Sequence, residues 1–165
     1  MKLGLTIIIC LALAAGLFGG CSKSENGGAN GTPHLHVDQP PHGGTAIDLG
    51  EDYHIEFVRD AVNGKLQAFV LDGEMEEFVH SPSASFELTA HVGGRDEKLN
   101  FAAVANRATG ETVGDTSMFE AQADWLKTAT NFDAAIKEIN VRGESYTNVM
   151  FNFPKGNDAD AADKK

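Results

Sequence analysis

The hydrophobic positions of this chain recur mostly at period two. Tyr53, Ile55 and Phe57 alternate with His54, Glu56 and Val58, and the rhythm returns in Phe86, Leu88 and Ala90 and again in Leu99, Phe101 and Ala103. Successive side chains of a strand point to opposite faces, so this pattern predicts strands with one buried face. Turn chemistry separates them at Gly50-Glu51-Asp52, Asn63-Gly64, Asp72-Gly73, Gly93-Gly94 and Arg142-Gly143-Glu144. Asn63-Gly64 is the strongest of these signals, because both residue types tolerate positive φ. The predicted strands are 45–49, 53–60 and 66–71, a pair about Gly93-Gly94, a short strand at 117–122, and a closing hairpin of 135–141 with 146–153. In that last strand Thr147, Val149, Phe151 and Phe153 are expected to share a face.

Between these strands, 74–84 reads as an acidic loop crossing from one sheet to another, carrying Glu74, Glu76, Glu77, His80 and Pro82. Ala121, Trp125 and Ala129 fall at helical spacing and predict a short helix near 123–128, with Trp125 capping an open end of the core. About seven or eight short strands with regular turn signals place the chain in the all-β class. The expectation is an antiparallel β-sandwich, Ig-like in architecture, with one short helix; a small barrel is the alternative.

Composition is consistent with one such domain: 165 residues, 42% hydrophobic and 22% charged. Asp and Glu number 24 against 13 Lys and Arg, a net charge of -11. That charge repels phosphate backbones and anionic headgroups, so it argues against nucleic acid as a partner and against a basic membrane-binding patch. Cations and cationic surfaces are what it attracts.

The N-terminal stretch has a different character. Lys2 precedes an uncharged apolar run over 3–18, and Gly19-Gly20 precede Cys21. This is the pattern of a secretory signal, and it is shorter than the ~20 apolar residues that span a bilayer. Leu17-Phe18-Gly19-Gly20-Cys21 resembles the lipobox of bacterial lipoproteins, with Phe18 where that family most often has Leu. The resemblance implies that Cys21 is acylated with palmitate-type chains and becomes the first residue after cleavage. Cys10 lies inside the leader, so the processed chain has a single cysteine and no intramolecular disulfide. Ser22 stands where an Asp would signal inner-membrane retention, which implies an outer-membrane anchor facing the periplasm. The expected organisation is a signal peptide at 1–20, a lipid-anchored flexible tether at 21–41, a β domain at 42–154 and a disordered tail at 155–165.

The tether is rich in Ser, Asn, Gly and Pro, and a coil of about twenty residues reaches on the order of 25 Å. Its distal end, Pro33-His34-Leu35-His36-Val37-Asp38-Gln39-Pro40-Pro41-His42, gathers three histidines and one carboxylate. Neutral imidazoles suit copper, zinc and nickel. In an extended segment His34 and His36 place both rings on one side, and Pro40-Pro41 turns the chain so that His42 can fold back. The bland reading is a solvated linker that happens to be rich in histidine.

The motif Pro41-His42-Gly43-Gly44, with Leu49-Gly50, Asp52-Tyr53-His54-Ile55-Glu56, Gly64-Lys65-Leu66 and Val70-Leu71-Asp72, looks like a domain of small bacterial lipoproteins of unassigned function. A related His-Gly-Gly hairpin is similar to one near the front of periplasmic adaptor subunits of heavy-metal efflux systems. The resemblance implies an exported β domain and a connection with metal handling. Two roles for the motif remain open. Gly43-Gly44 gives the backbone freedom to enter the first strand with His42 packed on the Tyr53-His54 edge, or His42 and His54 approach one another and His34 or His36 completes a three-ligand site. Alternation turns His54 away from the core face and favours the first. His80 and His91 read as surface residues.

No nucleophile with its base, phosphate loop, nucleophile elbow or calcium loop is marked, so the chain reads as non-enzymatic. The functional expectation is a lipid-anchored periplasmic binding module, joined to the membrane through its lipid, that captures or buffers copper or zinc through His34, His36 and His42. The alternative is a structural or protein-interaction lipoprotein that docks an envelope partner through a sheet edge or the 74–84 loop.

Overall fold

Eight antiparallel strands make one sheet in the computed structural model, which describes residues 39–157. They are β1 (Thr45–Leu49), β2 (Tyr53–Asp60), β3 (Lys65–Asp72), β4 (Ser85–Val92), β5 (Arg95–Ala103), β6 (Met118–Gln122), β7 (Phe132–Val141) and β8 (Glu144–Phe153). The strand order is β1-β2-β3-β6-β5-β4-β7-β8, and the sheet nearly closes on itself, bringing β1 beside β8. The expected all-β architecture is thus present. Its strands are hydrogen-bonded into one continuous, barrel-like sheet whose two halves face each other across a single core. The signal peptide, Cys21, His34, His36 and the far end of the tail lie outside the described residues.

Alternation builds that core. Ile55 and Phe57 of β2, Leu66, Ala68 and Val70 of β3, and Phe86, Leu88 and Ala90 of β4 all point inward and are buried. Aromatic pairs then link strands distant in order: Phe57 stacks on Phe151 with centroids 5.1 Å apart and meets Phe101 edge-on at 5.5 Å. Phe86 stacks on Phe101 at 4.6 Å and meets Phe119 at 5.2 Å. At one end the expected helix is a 3₁₀ turn, Asp124–Lys127. Trp125 packs there edge-on against Phe132 at 5.2 Å, and Arg59 Nη1 holds the turn by donating to the carbonyls of Leu126 and Ala129 at 2.8 and 2.9 Å. Gly64 accompanies it: a Cβ at that position would lie 2.8 Å from the Ala123 carbonyl oxygen.

Three features depart from the sequence pattern. In β8, Thr147 is exposed and Tyr146 turns toward the core instead. Asn148 has φ of +53°, and Lys137 and Asn148 drop out of the otherwise regular pairing of β7 with β8. The inward phase therefore slips there, from Ile136 to Ile139 on the neighbouring strand. Second, the 74–84 loop folds back on the end of β3 with Met75, Val79 and Ser81 buried, while Glu74, Glu76 and Glu77 stay exposed. Third, the ordered domain continues past 154, where the sequence suggested the tail begins. Gly156 pairs with Asn152, and the Asn157 side chain accepts from the Asp48 amide at 2.8 Å and donates to the Asp48 carbonyl at 3.1 Å.

Two outcomes are expected. Phe101→Ala, which opens a hole at the centre of the aromatic chain, lowers the urea unfolding free energy by about 3–5 kcal/mol. Asn157→Ala unlatches β1 and costs only about 1 kcal/mol, and it raises the hydrogen-exchange rate of the Asp48 amide selectively.

Candidate functional site

The outer face of β2 and β3 carries a buried carboxylate. Glu56 points away from the core, opposite Phe69 in the β2–β3 register, yet its side chain is 0% exposed. The segment Pro40–Gly44 covers it. A turn closed by the Gly43 amide donating to the Pro40 carbonyl at 2.9 Å brings His42 and Gly44 over the carboxylate. Glu56 Oε1 accepts from the His42 amide at 2.9 Å and the Gly44 amide at 2.7 Å, and Oε2 accepts from the His42 ring Nδ1 at 2.7 Å. A carboxylate in a dry site needs such donors, and here the backbone and one imidazole supply them.

This arrangement explains the His-Gly-Gly motif. A Cβ on Gly44 would lie 2.5 Å from the Phe57 carbonyl oxygen and 2.9 Å from Glu56 Cγ, so only glycine lets the chain pass this close to β2. Gly43 has φ of +69°. His42 does not pack on the Tyr53-His54 edge; its ring stacks on Phe69 with centroids 4.0 Å apart and lies 5.8 Å from Phe78. In the neutral tautomer that donates from Nδ1 to the carboxylate, the ring's lone pair lies on Nε2. The His42 side chain is 37% exposed.

His54 is placed differently. It projects outward as its alternation requires, but its side chain is only 13% exposed. Nδ1 lies 3.2 Å from the Asp72 carbonyl and Nε2 3.1 Å from Asp48 Oδ1, so both ring nitrogens are occupied. Among the described residues no three His, Cys, Asp or Glu side chains are grouped to hold a metal ion. His80 and His91 are exposed, each with Nδ1 2.9 Å from an aspartate, Asp115 and Asp96 respectively.

A second buried glutamate went unmarked in the sequence pattern. Glu111 is 6% exposed, and its Oε1 accepts from the Ser117 amide at 2.8 Å and the Ser117 hydroxyl at 2.5 Å, while Oε2 accepts from the Thr109 hydroxyl at 2.7 Å. Burial pushes its pKa up, but the combined hydrogen bonds from Ser117 and Thr109 and the nearby His80 outweigh burial and hold it below the usual value of 4.5. Neither glutamate has a sequence signature of its own. For Glu56 the available hint was the pair of glycines that let a loop lie against the strand. Among the described residues no helix is long and apolar enough to cross a membrane.

Gly44→Ala is expected to destabilise the domain by about 2 kcal/mol or more in urea titrations, against about 1 kcal/mol for Gly43→Ala, whose Cβ meets open space. The lowered pKa of Glu111 sets a sign for acid sensitivity. Its stabilising contribution is complete above the unfolded-state pKa near 4.5 and is lost as pH falls through the lower folded-state value. Thr109→Ala, which removes one hydrogen bond to the ionised form, flattens the loss of stability below pH ~4.5 when melting is followed against pH. Comparison with protein-family models, with curated proteins and with solved structures finds no match to this chain, and the functional reading rests on its own residues.

Proposed function

We propose that this protein is an exported, lipid-anchored binding module of the cell envelope that captures a copper or zinc ion where its histidine-bearing tether enters the β domain. The observation that carries this reading is the mounting of His42. Its Nδ1 is fixed on buried Glu56 at 2.7 Å, its ring is braced on Phe69, and Nε2 is the nitrogen left to ligate. Histidines that bind metals are typically oriented by a carboxylate on the other ring nitrogen, which also raises the basicity of the ligating one. His34 and His36, just upstream in the sequence, supply the remaining imidazoles, and Asp38 lies between them and His42. His54 stays outside this set because Asp48 and the Asp72 carbonyl hold both its nitrogens. The module has no catalytic role in this reading, and its acidic surface adds a general attraction for cations.

A protein-interaction role is the second reading, favoured by Phe78, a large apolar side chain 48% exposed on the 74–84 loop. With β1 and β8 drawn together, that loop supports docking better than a sheet edge does. Specific crosslinks to one envelope protein, lost in Phe78→Glu, support it.

Calorimetric titration of residues 22–165 with Cu(II) or Zn(II) tests the metal reading. One equivalent is expected to bind, with affinity reduced about tenfold or more by His42→Ala and by the His34→Ala, His36→Ala pair, and unchanged by His54→Ala. Affinity falls as pH is lowered, because a protonated imidazole cannot ligate. Undiminished affinity after all three substitutions at 34, 36 and 42 rules out the assigned ligands.

A further inference from the structure

The clasp around Glu56 opens onto apolar surface. Phe69 lies opposite Glu56 in the β2–β3 register and opposite Met118 in the β3–β6 register, so Phe69 and Met118 both stand on the outer face. With Phe78 they wall a cleft of about 250 Å³ beside the clasp. The Phe69 and Phe78 rings are tilted against one another with centroids 6.2 Å apart, and the His42 ring lies 4.0 Å from the first and 5.8 Å from the second. The polar end of this cleft is already complete. Glu111 takes donors from Ser117 and Thr109, and His80 stands between Asp115 and Glu111 at 2.9 and 3.5 Å. What lacks a cover is the apolar wall, where Phe78 is half exposed.

The chain carries a cover of matching chemistry just upstream. The described residues begin at Gln39, and the Pro40 carbonyl closes the turn over Glu56. Between Cys21 and Gln39 the only large apolar side chains are Leu35 and Val37. In an extended segment residues two apart share a side, about 7 Å from one another, which is close to the separation of the two phenylalanine rings. An extended chain covers at most about 3.5 Å per residue, so Val37 reaches about 10 Å from Pro40 and Leu35 about 17 Å. The cleft shares its Phe69 wall with His42, two positions past Pro40, and falls within that reach.

We propose that this cleft is the docking groove for the chain's own Leu35–Val37 segment, with both apolar side chains laid against Phe69, Phe78 and Met118. At about 30 Å³ per water-sized group the cleft has room for roughly eight such groups, and the side chains of Leu35 and Val37 bring seven carbons between them. The same segment of a second copy has the same chemistry, but the short connection through Pro40 gives the chain's own segment the higher effective concentration. The docking is apolar and needs no metal, so it stands apart from the metal reading. A partner that uses Phe78 has to displace this segment first.

The test uses the processed, lipid-bearing chain in phosphatidylcholine nanodiscs with EDTA present, labelled at the Leu, Val and Met methyl groups. Nuclear Overhauser contacts are expected from the Leu35 and Val37 methyls to the Phe78 ring and the Met118 methyl. The Met118 methyl resonance is expected to move in the Leu35→Ser, Val37→Ser double variant. Mixing labelled with unlabelled chains separates the two sources of the segment: contacts within one chain support the proposal, and contacts only between chains overturn it. On liposomes, chymotrypsin is expected to cut after Leu35 about tenfold faster in Phe78→Ala than in the native chain, because a docked segment is cut only while it is released. Phe78 is exposed, so its truncation leaves the core intact. Equal cleavage rates in the two chains, or absence of Leu35 and Val37 contacts to Phe78 and Met118, overturns the proposal. Both readouts are taken without metal, so they are independent of the outcome of the calorimetric titration.

Discussion

Phe57 is the side chain on which the sheet turns. It stacks on Phe151 of β8 and meets Phe101 of β5, so one ring from the second strand touches both the far edge and the middle of the sheet. Phe101 passes the contact to Phe86, and Phe86 to Phe119. These pairs connect β8, β2, β5, β4 and β6 through the interior, and they require the sheet to curl until its ends approach. Hydrogen bonds order the strands into a ribbon; the phenylalanines determine how far it rolls. The polar latch at Asn157 then secures a closure whose driving force is apolar burial.

Once the inner face is committed to this core, the outer face is where chemistry can be placed, and two covered glutamates organise it. Glu56 gathers the incoming chain, and Glu111 gathers the loop between β5 and β6. Among the described residues both lack a lysine or arginine partner and are satisfied by amides, hydroxyls or an imidazole. Fixed dipoles of this kind satisfy a buried carboxylate without a bulky cation beside it.

The strands were legible in the sequence because a one-sided burial pattern is written directly into residue alternation: β2, β4 and β5 follow Ile55-Phe57, Phe86-Leu88 and Leu99-Phe101. Alternation says which residues leave the core, but not which of those a loop later covers. Alternation therefore puts Glu56 off the core face without showing its cover, although the glycines that allow that cover are visible in the motif. His42 was legible as chemistry because of its neighbours, whereas its actual partner lies fourteen positions away. The slip at Asn148 was hidden for another reason. A single residue at positive φ reverses the facing of what precedes it, and asparagine at a strand position carries no strong signal of that conformation. The strand order, too, depends on which hairpins roll together, a choice made by the aromatic interior and not by any local segment.

The cover over Glu56 has a mechanical meaning as well. Tension arriving along the chain from its N-terminal side reaches Pro40, His42 and Gly44 before it reaches β1, and there it meets a single carboxylate gripped by two amides and a ring nitrogen. Those bonds share the load in parallel, whereas a strand peeled from its end gives way one bond at a time. The first rung of the β1–β2 ladder, Thr45 opposite Phe57, sits just behind them. Glu56 thus clasps the leading segment ahead of the first strand, so a pull from that side loads these bonds before it loads the β1–β2 ladder.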